Sequence, residues 1–188
     1  MSVQATTSTL KALKGTYVLD ASHSSLAFVA RHAMVTKVRG AFGAFTGEAV
    51  VDGANPDAST LKVVVDVSSV STNSTDRDAH LKSPDFFDVA QYPELTFAGT
   101  AFDITDDTTV VVSGDLTIKG VTRPVSITFE FTGQAKDPFG NVRVGFEGRT
   151  EVSRKDFGLT WNAALETGGV LVSDKVVLEF DVSAVEQN

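Results

Sequence analysis

The sequence predicts an all-β fold, a meander or barrel of antiparallel strands, and three observations carry that expectation. β-Branched residues abound, with 27 Val and 21 Thr among 188 residues, and their substituted Cβ favours the pleated strand. Four stretches alternate apolar and polar side chains with period 2, as strands with one wet face do. Turn-forming residues punctuate the chain at Asp52-Gly53, Asp106-Asp107, Lys119-Gly120 and Asp137-Pro138-Phe139-Gly140, where Gly, Pro and Asp supply turn geometry.

The regular strands are read first. Leu61, Val63, Val65 and Val67 alternate with Lys62, Val64 and Asp66, and Val125, Ile127, Phe129 and Phe131 alternate with Ser126, Thr128, Glu130 and Thr132. Val142, Val144 and Phe146 interleave with Arg143, Gly145 and Glu147, and Val176, Leu178, Phe180 and Val182 with Val177, Glu179, Asp181 and Ser183. Parallel strands covered on both faces would read as continuous apolar runs, so this pattern favours antiparallel pairing. Weaker patterns predict strands over 17–20, 24–31, 38–52, 94–103 and 109–119, about nine segments in all. The Gly-rich stretch from Gly40 to Gly47 lacks the Lys and following helix of a phosphate cradle, and reads as a bend or a close backbone approach.

One helical interruption is expected between Asn73 and Ala90. Thr75 followed by Asp78 fits a capping box, and Ser83-Pro84-Asp85 places a cap, a first-turn Pro and an acid at the start of a further short turn of helix. Leu81, Phe86, Phe87 and Val89 then need a surface to cover, and the open end of a barrel is the natural one, so the segment reads as a lid. The acids Asp76, Asp78, Asp85 and Asp88 do not follow the order of a calcium loop and read as solvated carboxylates near the positive helix end.

Length and composition bound the function. A chain of 188 residues with no linker or repeat reads as one domain over 16–188, preceded by a flexible segment 1–15. Zero Cys removes disulfides, thiolate metal sites and cysteine nucleophiles. A net charge of −8 with no basic run argues against nucleic acid and anionic membranes as partners. No apolar run reaches the ~18 residues that span a bilayer, and the first 15 residues hold no signal-like apolar stretch, so a cytoplasmic location is expected. A homodimer is possible, without an interface signal.

Catalytic and metal chemistry find little support. His23, His32 and His80 lack zinc-site spacing, and no nucleophile elbow, H-E-x-x-H, P-loop or dinucleotide fingerprint occurs. No enzyme activity, metal or cofactor is expected. Thirteen Phe with Trp161, Tyr17 and Tyr92 are more informative. They either fill a sandwich core or line a barrel of about eight strands, whose interior holds side chains or one small ligand. Periodicity does not separate the two.

Five ordered blocks carry a family resemblance over nearly the whole length. They are Asp20-Ala21-Ser22-His23-Ser24-Ser25-Leu26-Ala27-Phe28; His32 through Arg39-Gly40-Ala41-Phe42; Asp76-Arg77-Asp78-Ala79-His80-Leu81 through Asp88, closing with Tyr92-Pro93; Gly114 through Val125; and Arg154-Lys155-Asp156-Phe157-Gly158-Leu159. In these the chain resembles the YceI-like family, lipocalin-like proteins associated with polyisoprenoid binding. The resemblance implies one antiparallel barrel of about eight strands, capped by the helical insertion, whose apolar interior binds, stores or transports a long-chain isoprenoid or similar amphiphilic lipid. Combining alternation with those blocks, the lining candidates are Phe28, Phe42, Phe97, Leu116, Phe129, Phe146, Leu159 and Trp161, with Leu81, Phe86 and Phe87 from the lid. His32, Arg39 and Arg154 are candidates for polar contacts near the mouth. The alternatives are an enzyme acting on a hydrophobic substrate inside the barrel, with His32 or His80 as acid/base, and a stress-related structural or interaction protein without a ligand.

Overall fold

The structure, a computed structural model, describes residues 9–188. Eleven strands form one antiparallel sheet: β1 Lys14–Leu19, β2 Ser25–His32, β3 Thr36–Phe42, β4 Phe45–Asp52, β5 Thr60–Asp66, β6 Val70–Ser71, β7 Glu94–Ile104, β8 Thr109–Ile118, β9 Val121–Lys136, β10 Val142–Ser153 and β11 Lys175–Gln187. Its order is β1-β4-β5-β7-β8-β9-β10-β11, and β11 also pairs with β1, so these eight strands close a barrel. β2, β3 and β6 continue the sheet beyond β11.

The closure depends on one long strand shared by two short ones. The end of β11 pairs with β1, Ala184 opposite Leu19 and Gln187 opposite Thr16, while its middle pairs with β2, Phe180 opposite Leu26 and Val177 opposite Val29. Asp20, between β1 and β2, makes the break. Its N–H donates to the Ser183 carbonyl at 2.8 Å, and its carboxylate accepts from Ser22 and from Arg143 Nη1 at 2.6 Å. Arg143 Nε also donates to Asp137 in the β9–β10 turn, at 2.9 Å.

This arginine bridge makes the first testable statement. Hydrogen bonds from Ser22, then Arg143 and His23, hold Asp20 well below the usual carboxylate range. Burial pushes Asp137 upward, but the Asn141 N–H, Arg143 and the Asn141 side chain outweigh it and bring that carboxyl down to about 2. A depressed folded value means that the stabilisation is complete above the ordinary carboxylate range and is lost as pH falls through the folded value. Carboxyl NMR should therefore place the Asp137 midpoint near pH 2, and Arg143→Ala should move it upward. An unchanged midpoint would remove Arg143 from the account.

The strand expectations compare closely with the structure. The stretch 38–52 is two strands, β3 and β4, broken at Gly43-Ala44, and β6 adds a two-residue edge. Gly40 is a close approach: the Phe28 ring lies over it and leaves no room for a Cβ. The helical insertion contains one helix, α1 Thr75–Lys82. Its N-cap is Ser74 rather than Thr75, with Ser74 Oγ accepting from the Arg77 N–H at 3.4 Å. The expected second turn of helix does not form. Ser83 terminates α1 instead, its N–H and hydroxyl both donating to the His80 carbonyl, and successive turns run on to Tyr92.

The buried apolar residues fall into a large cluster and a smaller one of Leu26, Phe45 and Val65. Leu10, Leu13, Tyr17, Phe97, Val112, Leu116, Ile127, Phe131, Val144 and Phe157 are each buried within one cluster. Of the segment expected to be flexible, residues 1–8 lie outside the described residues, while 9–13 are docked. Leu10 and Leu13 are 4% and 3% exposed, and the Leu10 N–H donates to the Asp107 carbonyl at 3.0 Å. Leu10, which opens a short 3₁₀ turn, and Leu13, which caps it, gain enough apolar burial to hold a segment that polar sequence alone would leave loose.

Candidate functional site

Alternation along the barrel strands turns one side chain in two toward the axis. On β11 these are Leu178, Phe180, Val182 and Ala184; on β4, Ala49 and Val51; on β5, Leu61, Val63 and Val65. They do not meet in the middle. They surround a hollow of about 250 Å³, far more than the ~10–15 Å³ that one water needs. The wall from Leu178 to Ala184 covers about 20 Å along the strand, so the hollow is elongate.

The wall has two characters. On the β9–β10–β11 side phenyl rings pack on one another: Phe131 and Phe146 with centroids 5.3 Å apart, Phe129 and Phe180 at 5.8 Å, Phe129 and Phe146 at 6.4 Å. These are ordinary aromatic spacings and make a stiff surface. The β4–β5 side is aliphatic, with Phe97 of β7 beside it. Glu48, Asp52 and Ser59 border the hollow, and Tyr17 is its buried polar side chain: at 3% exposure, burial followed by the nearby Glu186 carboxylate raises its phenol above the ordinary value. It stays neutral and puts no charge into the hollow.

Side chains narrow both ends without sealing the hollow. Leu10 and Leu13 form the floor. At the roof Phe86, 6% exposed, packs tilted against Trp161 at 5.5 Å and edge-on against His80 at 5.0 Å, and His80 meets Trp161 edge-on at 4.6 Å. Phe42, which lines the hollow, touches Phe87 at 6.0 Å and Phe28 at 5.6 Å. The roof is tied down at two places. Thr72 is clasped by Asp78, which accepts from its N–H and hydroxyl, and by Arg77, which donates to its hydroxyl and carbonyl. Lys119 Nζ donates to the Pro84 carbonyl at 2.9 Å, joining the lid to the β8–β9 turn.

The sequence candidates therefore divide. Phe42, Phe97, Leu116, Phe129 and Phe146 stand in the wall. Leu81, Phe86, Phe87, Leu159 and Trp161 pack against the same core at the roof. Phe28 sits beyond the hollow, its ring over Gly40. His32 ends β2, exposed, its backbone bridged to Val172. Arg39 points outward, because Gly40 and Phe42 take the inner face of β3, and pairs with Glu179 on the barrel exterior. The expectation of a mouth contact from Arg39 is thus corrected.

Arg154 has a different role from the one expected. Buried at 6% exposure, it has no carboxylate in ion-pair contact among the described residues. Its guanidinium donates to four carbonyls: Ser173 at 2.8 Å, Leu159 at 2.6 Å, Trp161 at 2.8 Å and Val172 at 3.2 Å. Burial pushes its pKa down and Asp174 partly opposes this. Arg154 is a knot that holds the 159–173 connection, and with it Trp161, across the roof. The solvated reading of the lid acids holds for Asp76 and Asp85, both exposed, with Asp85 also paired to His80 Nε2 at 2.9 Å; it is corrected for Asp78, which clasps Thr72, and for Asp88, which is buried. Among the described residues, no cluster of His, Asp and Glu could hold a metal ion.

Sequence reasoning missed the floor and the aliphatic wall. Leu10 and Leu13 carry no periodic signal. Leu61, Val63 and Val65 do, but alternation marks a strand without marking a lining.

Comparison with known proteins decides the family. Residues 17–184 match the YceI-like domain. The chain belongs to the YceI-like family. A UPF0312 protein of Ectopseudomonas mendocina is 39% identical over 152 residues, 80% of each chain, and one from Vibrio cholerae is 39% identical over 145 residues, 76% of this chain and 77% of that one. Among solved structures, the YCEI protein of Campylobacter jejuni superposes with a TM-score of 0.72 at 29% identity, covering 84% of this chain and 90% of that one. A polyisoprenoid binding domain from Saccharophagus degradans superposes with a TM-score of 0.71 at 18% identity, covering 93% of this chain and all of that one, which shows the shared fold. This YceI-like chain thus has the closed eight-strand barrel expected of it.

Proposed function

We propose that this YceI-like protein binds and carries a long-chain isoprenoid or similar amphiphilic lipid, without catalytic turnover. The observation that carries the reading is the apolar hollow that runs along the barrel axis between Leu10 and Phe42. Each methylene moved into it from water contributes ~0.8 kcal/mol, against ~0–1 kcal/mol for an exposed ion pair, so the tail dominates and the headgroup is secondary. Ordering and association costs consume much of that sum. The polyisoprenoid binding domain that shares this fold supports the same ligand class. In this reading Phe42, Phe97, Leu116, Phe129 and Phe146 touch the guest, and Leu81, Phe86, Phe87, Leu159 and Trp161 form the gate through which it passes.

The enzyme alternative is disfavoured by geometry. His80 and Asp85 form a pair, but neither belongs to the wall of the hollow, and His32 stands exposed beyond its end. Organic extraction and native mass spectrometry test the proposal. The purified protein should release an apolar lipid, or take up one equivalent of a long-chain isoprenoid offered in detergent. A 19.9 kDa species that emerges bare and takes up none would overturn it.

A further inference from the structure

Two apolar tips stand exposed at opposite ends of the barrel, and their charge settings differ. Phe139, 89% exposed, projects from the β9–β10 turn beside Asp137, and the β7–β8 turn at the same end carries Asp106 and Asp107. At the lid end the β2–β3 hairpin projects Met34, 55% exposed, and Val35, 76% exposed. From Ala21 to Gly47 the chain contains no acid, in a protein whose net charge is −8. Arg31 and Lys37 flank the tip, both exposed, and neither has a carboxylate partner among the described residues. Arg39, the third cation of this stretch, is taken by Glu179, and Glu166 is an exposed acid on the neighbouring loop.

The tip is built rather than frayed. Ala33 and Met34 adopt φ of 50° and 61°, left-handed values that a tight hairpin turn ordinarily assigns to Asn or Gly. A large apolar residue held exposed at such a position works against local preference, as functional positions do. The hairpin is anchored to the roof connection: the Ala33 N–H donates to Leu171 at 2.7 Å, the Ser173 N–H to Arg31 at 3.0 Å, and Arg31 Nη1 to Val35 at 3.2 Å. These bonds bring the tip beside Val170, 39% exposed.

We propose that this tip docks on the surface of an anionic lipid bilayer. Met34 and Val35 enter the interfacial layer with Val170 at their edge, while Arg31 and Lys37 lie at the level of the lipid phosphates. The overall acidity does not forbid this. The Debye length is about 8 Å at physiological salt, so Asp106, Asp107 and Asp137 at the far end are screened while the tip's own cations are not; the exposed lid acids Asp76 and Asp85 share the docked end with Glu166 and oppose the attraction there. Composition alone argued for repulsion because it averages over that distance. The proposal rests on the lipid-carrier reading for its purpose: the docked end is the one roofed by Trp161 and Phe86, where a guest could pass between bilayer and hollow without crossing water.

The test uses the full chain, which has no Cys, so Met34→Cys and Phe139→Cys each give a single site for an environment-sensitive fluorophore. With vesicles of phosphatidylcholine and phosphatidylglycerol the label at 34 should shift to the blue, and with phosphatidylcholine alone it should not. The label at 139 should stay unchanged in both. Lys37→Gln should weaken vesicle co-sedimentation about fivefold, and Met34→Ser with Val35→Ser about tenfold, with circular dichroism unchanged. Docking by label 139, charge-independent binding, or a shift at 34 that follows protein concentration without vesicles, as a second copy would cause, overturns it. Isoprenoid uptake from detergent is measured in parallel. Lost docking with intact uptake sinks only this proposal, and intact docking without uptake sinks only the carrier reading.

Discussion

Replacing Ala49 and Ala184 together by Phe should abolish lipid uptake and leave the fold as stable as before, or more so. Both alanines line the hollow, on β4 and β11. Ala49 stands opposite Tyr17 and Leu61, and Ala184 opposite Leu19 and Val144. In a solid core, adding side-chain volume forces rotamers and backbone aside at ~1–3 kcal/mol per site. In an apolar hollow the new rings meet empty space and gain burial instead. Urea unfolding and isoprenoid uptake on the same variant therefore separate the two interiors. Uptake reduced at least tenfold at unchanged or raised stability fits a hollow. Loss of several kcal/mol with uptake retained would mean that the interior is packed elsewhere than at the guest.

Arg154→Met should be the most damaging single change outside the wall. It removes the arginine donor from the Ser173, Leu159 and Trp161 carbonyls and leaves Val172 with only the Asn162 amide, and an unsatisfied buried acceptor costs ~1–3 kcal/mol. Removing a buried cation that has no carboxylate in contact refunds part of that, so the net expectation is about 3–5 kcal/mol. At ~2–4 °C per kcal/mol for a chain of this size, thermal unfolding should fall by about 10 °C. Trp161 fluorescence should move to the red as the roof connection loosens. A melting temperature within a degree or two of the parent would show that Asn162, which bonds the Val172 N–H and carbonyl, holds the connection unaided.

The legible parts of this protein are those encoded by a local period. The inner faces of β5, β9, β10 and β11 follow the alternation read in Val63, Phe129, Phe146 and Phe180, because one residue in two must face the axis of a barrel. Even the outward direction of Arg39 was implicit there, since Gly40 and Phe42 fix the inner parity of β3. Its placement near the mouth came from family blocks, which mark residues that matter without saying which way they point. Break points were less legible. The shift in pairing between Gly145 and Phe146 against β9 and the split of 38–52 at Gly43 depend on how strands meet, not on their own sequence.

The features that make the barrel a container were least legible. Leu10 and Leu13 reach the floor where the Leu10 N–H finds the Asp107 carbonyl and the Leu13 carbonyl accepts from the Gly53 N–H across the barrel end. Arg154 finds its four carbonyls only after the 159–173 connection has folded back. Each is a contact between segments far apart in the chain, and no window of sequence contains both sides. The choice between filled core and lined pocket was likewise open, because a wall phenyl and a core phenyl obey the same period. Packing around the axis decides it.

The most direct test of the central idea is a crystal structure of the protein after delipidation and again after soaking with a long-chain isoprenoid. Continuous chain-like density running from Tyr17 past Phe97 and Phe146 toward Phe42, present only in the second, is the expected result. An axis occupied in both by protein side chains, with the isoprenoid absent or on the outside, would contradict it.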